Sequence, residues 1–494
     1  MTSFRELRAQ RLSDEKGTLY PQADFAVALC YPSPYHVGMS SLGFQTIYRR
    51  LNALPGIAAE RAFLPDDLDA ARKQREMLCT YESNRPVADF PIVAFSLAYE
   101  LELAGLVHCL DLAGIPALAS ERDGQDRRWP LIVVGGPLTF SNPVPAGPMA
   151  DVIVMGEAED AVATLLQLYR ESTDKTKLLA DLHRLPGFYV PSLRGENPPP
   201  VLASDKSNLP AFSQIITPHT ELSNMFLIEA ARGCSRSCTY CVMRRSTNGG
   251  MRKVEPDQIL PKIPDHARRV GLVGAAVTDH PRLPVILRAL IDSGRQVGVS
   301  SLRADRLTDE LVGLLAAGGY RTLTTASDGT SQAMRDKIQR GTSEENLRNA
   351  ARLAKAHGMS ALKVYMMLGV PGETMADVEE LIRFALELAV IAPRLIVTVA
   401  PFVAKRNTPL DRSPFEDIAI LDAKLARLRA GLRGRVKLMG ESPKWAWIEY
   451  RLAQGGFAEG LAAMGAARAG GSFGAWKTSL TDPATGAASG SAIE

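Results

Sequence analysis

Arg232-Gly233-Cys234-Ser235-Arg236-Ser237-Cys238-Thr239-Tyr240-Cys241 gathers three of the chain's six cysteines into eight positions, spaced C-x3-C-x2-C. The run before it, Met225-Phe226-Leu227-Ile228-Glu229-Ala230-Ala231, is apolar and strand-like. A cysteine-dense loop following a strand points to a metal site. Iron–sulfur clusters are held by thiolates, and a four-iron cluster ordinarily takes four of them. Three local ligands would leave one iron open to a group that is not protein. Structural zinc closes a tetrahedron of four Cys or His ligands, yet His219 and His266 stand fifteen or more residues from the nearest cysteine, without zinc-motif spacing. Zinc with a remote fourth ligand stays open here. A disulfide framework does not suit so cysteine-poor a chain.

This spacing, with an aromatic residue before the last cysteine, resembles the signature of the radical S-adenosylmethionine (radical SAM) superfamily. The resemblance implies that Cys234, Cys238 and Cys241 hold a 4Fe–4S cluster whose fourth iron takes the amino and carboxylate groups of S-adenosylmethionine, with Tyr240 beside the adenine. It implies further that one electron from the cluster cleaves the sulfonium to methionine and a 5′-deoxyadenosyl radical, which removes hydrogen from a substrate.

At 494 residues the chain is expected to form two or three domains. Its net charge of +3 leaves no global nucleic-acid or membrane footprint, although nucleic acid as a partner stays open through local basic patches. The first residues, Met1-Thr2-Ser3-Phe4-Arg5-Glu6-Leu7-Arg8, lack the apolar core of a secretory signal. The longest apolar region, 381–400, is interrupted by Arg383, Glu387 and Arg394, too charged for a membrane span. A cytoplasmic protein without membrane contact is expected, which suits reduced thiols.

On the N-terminal side, Phe25-Ala26-Val27-Ala28-Leu29-Cys30 reads as a buried strand, followed by a Pro-rich turn and a helix over about 40–54. Further strands are expected at 92–96, 131–134 and 152–155, with helices over 67–77, 101–113 and 158–169. This alternation predicts an α/β, doubly wound (Rossmann-like) parallel sheet over 1–170. Ligands on such sheets gather at the carboxyl ends of strands. Those ends carry Tyr31-Pro32-Ser33-Pro34-Tyr35-His36, Ser96-Leu97-Ala98-Tyr99-Glu100, Gly135-Gly136-Pro137 and Gly156-Glu157, whose glycines would admit a large flat ligand. The arrangement resembles the cobalamin (B12)-binding domain found ahead of many radical SAM cores, which implies Gly135, Gly136 and Gly156 as cofactor contacts. It departs from that family at His36, because Pro34 and Met39 stand where an Asp-x-His-x-x-Gly motif needs Asp and Gly. His36 is therefore not expected on cobalt, and occupancy by cobalamin stays open.

Cys30, Cys79 and Cys109 invite comparison with methylthiotransferases, which carry three N-terminal cysteines for a second cluster. Gly135-Gly136 stands where a later cysteine would be wanted, and Cys109 lies in an apolar helical pattern. Buried, unreactive thiols are the expectation.

Between 171 and 224 periodicity fades among Pro186, Pro191, Pro198-Pro199-Pro200 and Pro210, which predicts a linker with an exposed centre. Beyond the cysteines, strands at 271–277, 297–300, 322–325, 361–368 and 395–399 alternate with helices over 283–293, 308–317, 331–339, 344–357 and 375–389. With the strand before the cysteines this makes six strand–helix units over 225–405, fewer than a closed barrel's eight, and suits the open (β/α)6 partial TIM barrel of the radical SAM family. By that resemblance several strand ends clamp S-adenosylmethionine. Thr278 and Asp279 would accept from its ammonium, Arg303 would take its carboxylate, Asp328 would stand where relatives carry glutamate, and Gly369 would meet the adenine.

A small C-terminal extension follows over 406–481, with a helix at 418–432, and 482–494 reads as a disordered tail. From Phe25 to Trp476 the chain resembles an uncharacterised group of cobalamin-domain radical SAM proteins, sometimes called Fe–S oxidoreductases. The function implied is reductive cleavage of S-adenosylmethionine, with cobalamin-dependent methyl transfer to an unactivated carbon as one outcome and ferredoxin or flavodoxin as electron donor. Two alternatives stand beside it: a methylthiotransferase acting on RNA or protein, and a non-catalytic, metal-stabilised binding protein. Asp279, Asp328, Glu373 and Lys405 lie at strand ends, where capping is the ordinary role of a charged residue, and no general acid or base is assigned.

Overall fold

Phe25–Tyr31 (β1) is an apolar run without alternation, so neither face suits water, and it must lie inside a sheet covered on both sides. The computed structural model describes residues 3–122, 128–243, 250–300 and 302–482. It separates into two units, Met1–Asn224 with Arg451–Glu494, and Met225–Tyr450.

The first unit sets β1 among Ile57–Phe63 (β2), Ile92–Ser96 (β3), Leu131–Gly135 (β4), Val152–Val154 (β5) and Phe188–Tyr189 (β6), in the order β2-β1-β3-β4-β5-β6. The first five are parallel, and β6 runs antiparallel along β5. The doubly wound sheet is thus present. Strand β2 was not foreseen: Ile-Ala-Ala-Glu-Arg-Ala-Phe carries good helix formers, yet it pairs with β1 over its whole length, so sheet pairing overrides propensity. Its Arg61 is fully buried between Glu15 at 2.7 Å and Glu82 at 2.6 Å. The polar lead-in forms a helix, Phe4–Asp14, opened by a capping box between Ser3 and Glu6.

The expected linker is instead folded onto this unit. It contains the helix Lys175–His183 and β6, and it bridges Leu202 to Gly156 and Ile216 to Lys16. Proline erased the periodicity but not the burial, since Ala211, Ile215 and Ile216 are all buried. Glu196 and Asn197, at its Pro-rich centre, are exposed. The helices Phe457–Arg468 and Phe473–Thr481 also belong here. Asn142 anchors the turn before them, donating Nδ2 to the carbonyls of Leu452, Ala453 and Gly455 at 3.2, 3.1 and 2.8 Å. The expected extension is therefore divided, with 406–450 in the second unit and the rest in the first. Apart from Asp482, the expected disordered tail lies outside the described residues.

The second unit contains Met225–Glu229 (β7), Ala231–Gly233 (β8), Met251–Lys253 (β9), Arg269–Val273 (β10), Gln296–Val299 (β11), Thr322–Asp328 (β12), Ala361–Leu368 (β13), Leu395–Pro401 (β14) and Lys437–Gly440 (β15). Parallel sheets β11-β10-β7 and β12-β13-β14-β15 are joined by a parallel bridge from Leu302 to Thr325. The strands thus follow chain order around a partial (β/α) barrel, with helices such as Leu283–Asp292, Glu344–Ala356 and Met375–Ile391 between them. A seventh parallel strand, β15, extends the expected six; it is short and mostly exposed, so no apolar pattern announces it.

Local chemistry explains the alternation. Ser343 caps Glu344–Ala356, Glu344 and Glu345 occupy its first turn, and Leu347, Ala350, Ala351 and Ala354 form its buried stripe. In β13, Leu362, Val364, Met366 and Leu368 are buried, and strand alternation places Lys363, Tyr365 and Met367 on the other face. Among the described residues no helix is long and apolar enough to cross a membrane.

Candidate active site

The cysteine loop is an excursion between β8 and β9, which pair antiparallel through Arg232 and Arg252 and so close its base. Arg232 also clamps the end of β7, donating Nε and Nη2 to the two carboxylate oxygens of Glu229 at 2.7 and 2.8 Å. Backbone bonds from Thr239 N–H to the Ile338 carbonyl at 3.1 Å, and from Leu410 N–H to the Thr239 carbonyl at 3.3 Å, strap the middle of the loop. Cys234, Cys238 and Cys241 line one cleft enclosing about 530 Å³, part of it open to solvent. All three are free thiols, with Cys238 the most buried at 8% exposure. Burial pushes the Cys241 thiol above the usual range, opposed by the Met243 N–H. Among the described residues no group of three His, Cys, Asp or Glu side chains is placed to hold a metal ion; the three thiols share one cavity.

Tyr240 turns its ring toward an apolar patch of Met334, Ile338, Val370 and Phe402. Its hydroxyl donates to Asp328 Oδ2 at 2.5 Å, and Arg340 Nε pairs with that same oxygen at 2.7 Å. Asp328 reaches this position because β12 slips register between Ala326 and Asp328 and the residue adopts φ +60°. Such a bulge re-aims a side chain at the end of a strand, and a non-glycine residue held in the left-handed region costs on the order of 1–3 kcal/mol. Burial and the Asp328 carboxylate raise the Tyr240 phenol, which therefore stays a donor.

Arg303 is 5% exposed and lies on the wall of the cleft. Its Nη2 stands 3.0 Å from Asp305 Oδ1 and its Nε 3.7 Å from Asp279 Oδ1, yet neither nitrogen makes a hydrogen bond. A buried guanidinium with two unused N–H directions suits an incoming carboxylate. Thr278 holds the main chain behind it, its hydroxyl accepting the Arg303 backbone N–H at 3.3 Å.

Asp279 differs from expectation. It accepts from Ser235 at 3.0 Å and from Arg236 at 3.0 and 3.2 Å, and pairs with Arg306 at 3.4 Å. Burial works against its charge, but the Arg236 and Ser235 hydrogen bonds and the nearby arginines hold it below the usual carboxylate range. Both oxygens are occupied, so Asp279 organises arginines rather than waiting for an ammonium. Small residues three and four positions earlier, Ala276 and Ala275, line the cleft instead.

Gly369 also departs from expectation. At φ +81° its added Cβ would lie 2.8 Å from Leu421 and 3.0 Å from Glu416, so the close approach it permits is to the chain itself. Its N–H donates to Glu373 Oε1 at 2.9 Å, and the same buried carboxylate takes Thr330 at 2.8 Å and Lys424 at 2.9 Å.

In the first unit, Gly136 and Gly156 do sit in the left-handed region and do approach backbone, but that backbone is Leu97 and Leu202 of the same chain. Gly135 has room for a side chain, with only Val154 at 3.8 Å. The space beside Gly136 and Gly156 is therefore taken by the chain itself. The His36 side chain is 43% exposed, its Nδ1 3.7 Å from Asp66.

Two residues missed in the sequence complete the cleft. Arg236 lies inside the cysteine motif itself and bridges Asp279 and Asp305. Arg340, twelve residues after Asp328, lines the same cleft as Cys238. Nothing local marks Arg340, because only the fold carries it back to the cysteine loop.

Comparison with known proteins bears on these features. A sequence profile described as radical SAM proteins, N-terminal, matches residues 43–191, and one described as the radical SAM superfamily matches 228–385. The chain is 25% identical over 403 residues to an uncharacterised protein of Methanocaldococcus jannaschii, covering 79% of this chain and 80% of that one. It is 22% identical to an uncharacterised methyltransferase of Pyrococcus horikoshii, covering 52% of this chain and 58% of the relative. It is 25% identical to the ribosomal protein uS12 methylthiotransferase RimO of a Thermotoga species, covering 41% and 52%. The last two matches span little more than half of each relative's length.

Proposed function

This chain belongs to the radical SAM superfamily and is an enzyme of that class, and on that premise we propose that Cys234, Cys238 and Cys241 hold its cluster. S-adenosylmethionine would lie in the cleft they line, with Arg303 and Arg340 as the cations offered to its carboxylate. One observation carries the reading: three thiols and a buried guanidinium whose Nε and Nη2 make no hydrogen bond line one cavity. A 4Fe–4S cluster held there would supply the electron for reductive cleavage of the sulfonium to methionine and a 5′-deoxyadenosyl radical. The electron comes from an external one-electron donor of the ferredoxin or flavodoxin type.

The chain's own residues position and shelter that chemistry. The straps at Ile338 and Leu410 hold the loop against the barrel, Asp328 fixes Tyr240 and Arg340, and Thr278 fixes Arg303. The substrate sits on the concave face of β12 to β14, which bears Thr324, Lys363, Tyr365 and Thr398. A closed barrel fills this space with branched apolar side chains. Here Tyr365 is 37% exposed and Lys363 Nζ stands 4.6 Å over its ring. This surface suits a substrate with a polar or acidic group, from which a hydrogen atom is abstracted.

The methylthiotransferase alternative needs a second cluster, and the N-terminal cysteines do not support one. Cys30 and Cys109 are fully buried, and burial raises both thiols, while Cys79 lies beside Arg8, Glu76 and Asp89. The metal-stabilised, non-catalytic alternative is set aside by membership in an enzyme superfamily.

The test is anaerobic reconstitution with iron and sulfide, followed by dithionite, S-adenosylmethionine and quantification of 5′-deoxyadenosine. Four irons per chain and deoxyadenosine formation are expected, both lost in Cys238→Ala. Intact S-adenosylmethionine in the reconstituted wild type would overturn the proposal.

A further inference from the structure

In the first unit the strand order reverses between β1 and β3, the position where doubly wound sheets open a ligand crevice at their carboxyl ends. Here the crevice is built shut by the chain. Glu102, 2% exposed, accepts the Ala98 N–H at 2.6 Å and the Ser33 hydroxyl at 3.1 Å. One carboxylate at the start of the helix Glu102–Ala113 therefore ties the loop after β1 to the loop after β3. That helix lies against the first loop without a gap, since a Cβ on Gly105 would fall 1.9 Å from the Pro32 carbonyl oxygen.

The next two strand ends are closed in the same way. At Gly136 a Cβ would meet the Leu97 carbonyl at 2.6 Å, and Leu97 N–H already donates to Gly135 at 2.8 Å. At Gly156 the occupant is Leu202, whose carbonyl would lie 2.3 Å from an added Cβ. Leu202 is held there as a strand would be, donating to Met155 O at 3.0 Å and accepting from Glu157 N–H at 2.9 Å. Ser204 adds two bonds to Glu157, at 2.9 and 2.8 Å. Further along the same segment, Ile215 N–H donates to Gln45 at 2.8 Å, Thr217 accepts from Tyr35 at 3.2 Å, and Ile216 pairs with Lys16.

We infer that this domain binds no cobalamin, because residues 202–217 and Glu102 occupy the carboxyl-end face that a corrin ring would need. Admitting the ring would require breaking the Leu202, Ser204 and Ile215 bonds together and leaving buried backbone groups unpaired. The domain serves as a scaffold with an internal occupant, and methyl groups do not reach the substrate from cobalt.

The test uses the intact, cluster-reconstituted protein incubated anaerobically with hydroxocobalamin and separately with methylcobalamin, then desalted. Cobalt per chain is measured alongside hydrogen exchange at the Leu202, Glu157 and Ile215 amides. The expected result is no retained cobalt and unchanged protection of those amides. One cobalt per chain, or loss of protection on adding either corrinoid, would overturn the inference. Deoxyadenosine formation without cobalamin is read in the same samples, so a failure of the radical reading is distinguishable from a failure of this one.

Discussion

Replacing Lys424 with methionine keeps most of the side-chain volume and removes one buried charge. Lys424 is 3% exposed in its side chain and donates to Glu373 Oε1 at 2.9 Å and to the two oxygens of Glu416 at 2.7 and 2.8 Å. Glu373 is fully buried in its side chain. The substitution leaves a carboxylate in the interior without its cation, and breaking a buried pair in this way costs about 3–5 kcal/mol. For a unit of this size each kcal/mol moves Tm by about 2–4 °C, so the transition of the second unit should fall by roughly 6–20 °C.

A pH dependence follows from Glu373. Burial raises its carboxyl above the usual value, opposed by the Gly369 N–H and by Lys424, and losing Lys424 raises it further. The folded state then takes up its proton at a higher pH than the unfolded state, so stability increases as pH falls through the window from the raised value toward the ordinary carboxylate range. Thermal melts of Lys424→Met should show the full deficit near about pH 8 and a smaller one near about pH 5, and Glu373→Gln in the same chain should recover much of it at the higher pH. Because Val370 lies in the same loop and packs with Tyr240, cleavage of S-adenosylmethionine should slow as well. A deficit under about 1 kcal/mol, or one equal at both pH values, would refute the reasoning.

Two further substitutions separate binding from folding. Arg303→Met should leave four irons in place, since Asp279 keeps Arg236 and Arg306 and Asp305 keeps Arg236. It should weaken S-adenosylmethionine binding by about 10- to 150-fold, the loss of a charge-assisted contact of about 1.5–3 kcal/mol, read by equilibrium dialysis on the reconstituted protein; unchanged affinity would count against a role for Arg303. Asn142→Ala should destabilise the first unit by about 1–3 kcal/mol in urea unfolding, because three carbonyls lose their donor. Asn142→Asp, which has no N–H to offer, should fail to restore it.

The strand–helix alternation, the two α/β units and the cysteine loop at the end of β7 were all legible in the chain, because burial on two faces, capping residues and ligand spacing are local properties. Ser343 and its helix, β13, and C-x3-C-x2-C can each be read without knowing what lies nearby. Strand β2 and the folded connector were not legible, since their structure comes from pairing with β1 and β5, which outweighs helix propensity in one and proline content in the other. The same division runs through the site. Residue type and order nominated Cys234, Cys238, Cys241 and Arg303, whereas only the tertiary structure saturated Asp279 with arginines and brought Arg340 across to Cys238. Glycine is the plainest case: sequence shows that Gly136, Gly156 and Gly369 lack a side chain, but what fills the space is a long-range contact. Here it is filled by Leu97, Leu202 and Glu416 of the chain itself.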